Sequence, residues 1–306
     1  MAPRMTRPKM FALFLGIALG GAGVIAVVFA EVWSEPGASL RAVTVVHLMP
    51  VLLATLAVQG PILKQPVLEP LGLNAGPNLW WLAAWVSPML VLAVALGVQW
   101  LMGLELALDT ESYIAAKRAL LPAAERAGFD AHLEEVPPSD PLGYVIQALP
   151  AGVTFNLLLA LATEIGWRGF LFKEVQGSFW RRSLLIGLAE GAFLAPIAAL
   201  GWSFGEPSVV NALLVIGWSI VASPALVYLR VRSRSVVAVS AFRGTMWALA
   251  AVASDLGPFA YPEARPFYGW TGAAGMLVLL GLFLLHDRFA MDPEERLATA
   301  RAPVKR

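Results

Sequence analysis

Residues 80–103 read WWLAAWVSPMLVLAVALGVQWLMG, and no charged residue interrupts the run. A bilayer core about 30 Å thick takes about 20 apolar residues as one helix. Only a helix or a closed barrel satisfies its own backbone there. The stretch therefore predicts a membrane-spanning helix. Trp80, Trp81 and Trp85 at one end and Trp100 at the other fit interfacial aromatic belts. Outward from it, comparable runs lie at 10–30, 43–60, 143–162, 183–201, 209–229, 235–254 and 270–286. Composition agrees: the 306 residues are 58% hydrophobic and 14% charged, with a mean hydropathy of +0.70. A soluble domain carries about 25% charged residues. The expected fold class is all-α, a polytopic integral membrane helical bundle of about eight transmembrane helices.

Orientation follows from Lys and Arg. If eight helices alternate, 16 of the 22 basic residues fall on the side of the N-terminus and five on the other, with Arg243 inside a span. Both termini are then cytoplasmic. The first run follows Arg4, Arg7 and Lys9 but is too long for a secretory signal, so it reads as a retained helix. The chain divides into 1–69 with two helices, a core at 70–286, and a cytoplasmic tail at 287–306 whose mixed charge reads as solvated. The one long segment between spans, 104–142, holds eight acidic residues. Within it Ser112–Ala127 reads as a helix broken by Pro122, lying on the membrane surface or serving as a lid, and Pro137 and Pro138 end the segment.

Several function classes fall away. A net charge of +1 offers no field for nucleic acid. The absence of cysteine removes disulfides, thiolate metal sites and thiol nucleophiles. His47, His132 and His286 stand far apart with no ligand spacing between them, and no phosphate loop or HExxH helix occurs. No metal and no cofactor is expected. The partner that composition does imply is the lipid bilayer.

Ionisable groups inside spans are costly, so they tend to face the bundle interior and pair. Three stand out: Glu164, Glu190 and Arg243. Glu164 and Arg168 are four residues apart and share a helix face, which suits a self-contained pair. Arg243 sits halfway along its span, too deep to snorkel. Glu190 is the nearest acid by depth, so a buried Glu190–Arg243 pair is expected, joined by Glu164 or not; the alternative places each in its own water-lined niche.

Residues 163–172, TEIGWRGFLF, resemble the first motif (E-E-x-x-x-R-G) of the CAAX-protease and bacteriocin-processing (CPBP) family of intramembrane endopeptidases. Leu71–Leu101 resembles that family's entry segment, Ser183–Pro196 its second motif and Tyr228–Trp247 its third, so the likeness covers roughly residues 70–285. The resemblance implies a helical membrane scaffold, a place in the cytoplasmic membrane, and a site in which a carboxylate and histidines activate water against a peptide bond. Glu164 and Arg168 match the motif. Thr163 stands where the family has its first Glu, Leu194 and Arg243 where it has His, and Trp247 where it has Asn.

Water activation needs a base, and a developing oxyanion needs donors. Leu194 supplies neither, and Arg243 cannot act as a base because arginine does not deprotonate in proteins. The expectation is a catalytically degenerate member that binds or regulates membrane partners, such as a hydrophobic or lipidated peptide or another membrane protein. One rival is an active endopeptidase built on Glu164; another is a transporter of a small solute or protons along Glu164, Glu190 and Arg243.

Overall fold

A computed structural model describes residues 6–32, 40–73, 76–121, 123–136, 140–204, 207–256 and 262–297. They form a helical bundle, with no strand among the described residues. In chain order the elements are α1 (Arg7–Val32), α2 (Leu40–Ala57), α3 (Leu68–Leu71), α4 (Leu79–Leu101), α5 (Thr110–Leu120), α6 (Ala123–Glu135), α7 (Pro141–Gly152), α8 (Phe155–Glu164), α9 (Phe172–Glu174), α10 (Phe179–Ala199), α11 (Val209–Ser233), α12 (Val236–Leu256) and α13 (Trp270–Phe289). A π-helical stretch, Ile165–Leu171, joins α8 to α9, and another, Val58–Ile62, extends α2.

Among the described residues, eight helical segments are long and apolar enough to cross a membrane, so the protein is a multi-pass membrane protein. Seven of them coincide with the runs read from sequence. The fourth does not: the apolar stretch is Phe155–Glu174, not 143–162. Residues 141–152 form the separate helix α7, which is about 18 Å long.

The break between α7 and α8 has a packing cause. Thr154 leaves the helical backbone at φ −110°, ψ −104°. The chain there passes so close to α12 that a Cβ on Gly152 would lie 2.5 Å from the Cα of Thr245. A Cβ on Gly244 would lie 2.3 Å from the carbonyl oxygen of Gly152. Small residues permit such backbone approach between membrane helices. Gly244 and Thr245 stand midway along α12, while Gly169 faces Val236 at its start. The fourth crossing is therefore in two pieces: α7 beside one half of α12, α8 and the π-helical stretch beside the other.

Caps lock the end of the bundle that carries Arg7 and the end of α11. Asn78 accepts from the Trp80 amide at 3.0 Å and donates to the carbonyls of Arg232 and Ser233, tying the start of α4 to the end of α11. The tail is anchored at two points. Asp287 is buried, and both its oxygens take the Leu297 amide at 3.0 Å, while Arg288, Asp292, Glu294 and Glu295 between them are exposed. Residues 298–306 lie outside the described residues, as do Arg4, Pro122, Pro137 and Pro138.

At the opposite end, Ser112–Ala127 is in two helices, α5 and α6. Tyr113 stacks on Tyr144 at 5.4 Å, and the Ala107 amide donates to the Leu256 carbonyl at 2.8 Å, which fixes α5 on the bundle. No residue of α6 is buried.

Candidate functional site

Four charged side chains meet where α8, the π-helical stretch, α10 and α12 pack together. Glu164 closes α8, Arg168 lies inside the π-helical stretch, Glu190 is on α10 and Arg243 on α12. All four are at most 2% exposed, so the desolvation cost of each charge must be met by the others.

They form a closed ring. Arg168 Nη1 donates to Glu164 Oε1 at 3.2 Å and to Glu190 Oε2 at 2.5 Å. Arg243 Nε donates to Glu164 Oε1 at 3.0 Å, and its Nη2 donates to Glu190 Oε1. Two carboxylates and two guanidiniums leave no net charge. Each carboxylate bridges both arginines, and each arginine bridges both carboxylates. Glu190 and Arg243 thus do meet, and Glu164 joins them. Arg168, which its spacing pairs with Glu164 alone, also reaches across to α10. Glu164 sits ten residues into the Phe155–Glu174 span and not at its inner end. The widened π turns set Arg168 between the two carboxylates, and such turns recur at functional sites.

An aromatic wall covers the ring on the side of Arg243. Its guanidinium carbon stands 5.6 Å from the Trp218 ring centroid, a cation–π distance. Trp218 leans on Tyr268 at 4.7 Å, and the Trp247 indole N–H donates to the Tyr268 hydroxyl at 2.8 Å. Tyr268 lies just outside the last span with φ at +65°. Burial pushes its phenol above the ordinary tyrosine value, with the Arg243 charge opposing, so it stays neutral. No motif in the sequence points to Trp218 or Tyr268; only the fold brings them there.

The remaining motif positions are spoken for. The Thr163 hydroxyl donates back to the Ala160 carbonyl at 3.0 Å. Leu194 is buried one turn beyond Glu190. His47 is buried, stacks on Phe193 at 4.4 Å and contacts that residue's carbonyl through Nε2 at 3.2 Å. His286 pairs through Nδ1 with the Tyr228 hydroxyl at 2.9 Å, and His132 lies on the surface of α6. The three histidines are therefore in three different places. Among the described residues no group of three His, Cys, Asp or Glu is placed to hold a metal ion.

Chemically, the ring is a set of ions that balance one another in charge. A carboxylate acting as a base needs a free lone pair facing water; both carboxylates here face guanidinium donors. Among the described residues, Arg168 Nε and Nη2 have no acceptor and Glu164 Oε2 accepts no hydrogen bond, although it lies 3.2 Å from Arg168 Nη1. Buried ion networks of this kind contribute specificity of arrangement more than net stability. Here they link three separate crossings in one register. Comparison with known proteins adds no relative: no protein-family model matches the chain, and no curated protein matches it.

Proposed function

We propose that the protein is a non-hydrolytic membrane protein with an endopeptidase-like architecture, placed in the cytoplasmic membrane, that works by binding or regulating a membrane partner. The observation that carries this reading is the closed ring of Glu164, Arg168, Glu190 and Arg243. Hydrolysis of an amide requires a base beside a water molecule and donors kept free for the oxyanion. In the ring the guanidinium groups have no lone pair to offer, and Glu164 Oε2, the carboxylate oxygen that accepts no hydrogen bond, is buried 3.2 Å from Arg168 Nη1. Leu194 brings no polar atom, and the Trp247 N–H is given to Tyr268. The resemblance to CPBP endopeptidases rests on the motif residues 163–172 and the order of the surrounding segments.

With the charges consumed internally, the partner is met through the bundle's outer surfaces. A hydrophobic or lipidated peptide segment, or another membrane protein, is the fitting class. The test is direct. Purified protein in detergent, given a prenylated or hydrophobic peptide, should release no fragment by mass spectrometry, and should retain a partner membrane protein on pull-down. Turnover that disappears in Glu164→Gln would replace this reading with an active endopeptidase.

A further inference from the structure

A cavity of about 510 Å³ opens at the end of the bundle where α1 begins. That size suits a small-molecule ligand or a lipid headgroup. Its walls are Arg7, Met10, Leu63, Gln65, Pro66, Pro70, Lys173 and Glu174. Arg7 is the first residue of the first membrane span, so the cavity lies at headgroup level.

The floor of the cavity is built by a polar network in which Gln59 is buried and Gln65 is exposed. Lys173 Nζ donates to Gln59 Oε1 and Gln65 Oε1, each at 2.8 Å, and pairs with Glu174 at 3.1 Å. These three partners consume its three hydrogens. Gln59 Nε2 donates to the Pro66 carbonyl at 2.8 Å, which closes the turn after α2, and Lys173 ties that turn to α9. Two donors remain. Gln65 has its amide oxygen held by Lys173, and its amide nitrogen has no acceptor among the described residues. Arg7 is exposed and makes no ion pair or hydrogen bond with a described residue. Glu174 offsets Lys173, so the Arg7 charge is uncompensated.

We propose that this cavity binds the headgroup of an anionic phospholipid. The phosphate oxygens accept from the Arg7 guanidinium and the Gln65 amide, and the glycerol end lies on Met10, Leu63, Pro66 and Pro70. The one carboxylate of the lining, Glu174, is paired with Lys173, so the charge left to a ligand is the Arg7 guanidinium, which favours a phosphate over an ammonium group. The apolar half of the lining favours a lipid over a free phosphate ester.

The experiment uses the full chain in detergent or nanodiscs, with retention of phosphatidylglycerol, phosphatidylcholine of the same acyl chains, and soluble glycerophosphate measured by native mass spectrometry. Phosphatidylglycerol should be retained preferentially. Arg7→Gln should weaken it roughly fivefold or more. Gln65→Glu, which keeps the acceptor for Lys173 but replaces the free donor with a negative charge, should weaken it as well. Lys9→Gln removes the same charge from an exposed site outside the cavity and should change retention less than twofold. Thermal unfolding of all three variants near the parent value confirms that they fold. Equal loss from Arg7→Gln and Lys9→Gln would reduce the effect to general surface charge and overturn the proposal. Lack of preference for phosphatidylglycerol, or glycerophosphate binding as tightly, would overturn the lipid assignment.

Discussion

The ring and the end of α13 both hold buried acid–base contacts, and they are built differently. In the ring of Glu164, Arg168, Glu190 and Arg243, the hydrogen bonds run between side chains of opposite charge. At the end of α13, Asp287 takes Arg232 at 2.7 Å and also the Leu297 amide, and Arg232 gives a second bond to the Glu295 carbonyl. Deep in the bundle, backbone groups are consumed by their own helices, so only another ion can compensate an ion. At the chain's end, free amides and carbonyls share the work. The difference teaches that loss of one partner should be severe in the ring and modest at α13.

The largest effect tests the ring. Glu190→Ala leaves Arg243 and Arg168 sharing one carboxylate, and should cost about 3–5 kcal/mol in unfolding free energy. Glu190→Leu made together with Arg243→Leu keeps the neutral Glu164–Arg168 pair and should cost about 1 kcal/mol or less, since apolar replacement of a whole buried pair is often neutral. Unfolding in detergent micelles, read by circular dichroism, gives the cycle; additive losses would show that the two residues are not coupled.

The next effect concerns how the ring is held in place. Gly244→Ala puts a methyl group against the Gly152 carbonyl and the backbone of Asn156 and Leu157, all closer than 3.0 Å. It should cost about 1–3 kcal/mol by overpacking. A neutral outcome in the same assay would mean that the α7–α8 break does not need this clearance. The smallest effect lies at α13. Arg232→Gln leaves Asp287 its Leu297 amide bonds and should cost about 1 kcal/mol. A loss as large as that of Glu190→Ala would erase the contrast between the two regions.

Hydropathy made most of the architecture legible, because an uncharged run of sufficient length has one physical solution in lipid. It failed at the fourth crossing for a definable reason. Residues 150–152, Pro-Ala-Gly, are breaker residues, yet Pro88, Pro196 and Pro224 sit inside intact helices. What decides at 153–154 is clearance against Gly244, which is a property of two distant segments. The cost of burying charge pointed to Glu190 with Arg243. The spacing of Glu164 and Arg168 concealed the longer reach of Arg168, because the π-helical widening has no signature in composition. Trp218 and Tyr268 were illegible altogether: aromatic residues are common in this chain, and nothing marks the two that cover Arg243. The anchor of the tail was missed because Leu297 is one apolar residue in a charged stretch.

The order in which the ring's members leave the ribosome has a consequence for biogenesis. Spans enter the bilayer from the N-terminal side. Glu164 and Arg168 arrive together as a self-neutralising couple, but Glu190 arrives before Arg243, which follows 53 residues later. Until α12 is inserted, Glu190 has Arg168 as its guanidinium partner, and Arg168 is shared with Glu164. The ring closes only when α12 joins α10, two crossings after Glu190 is made.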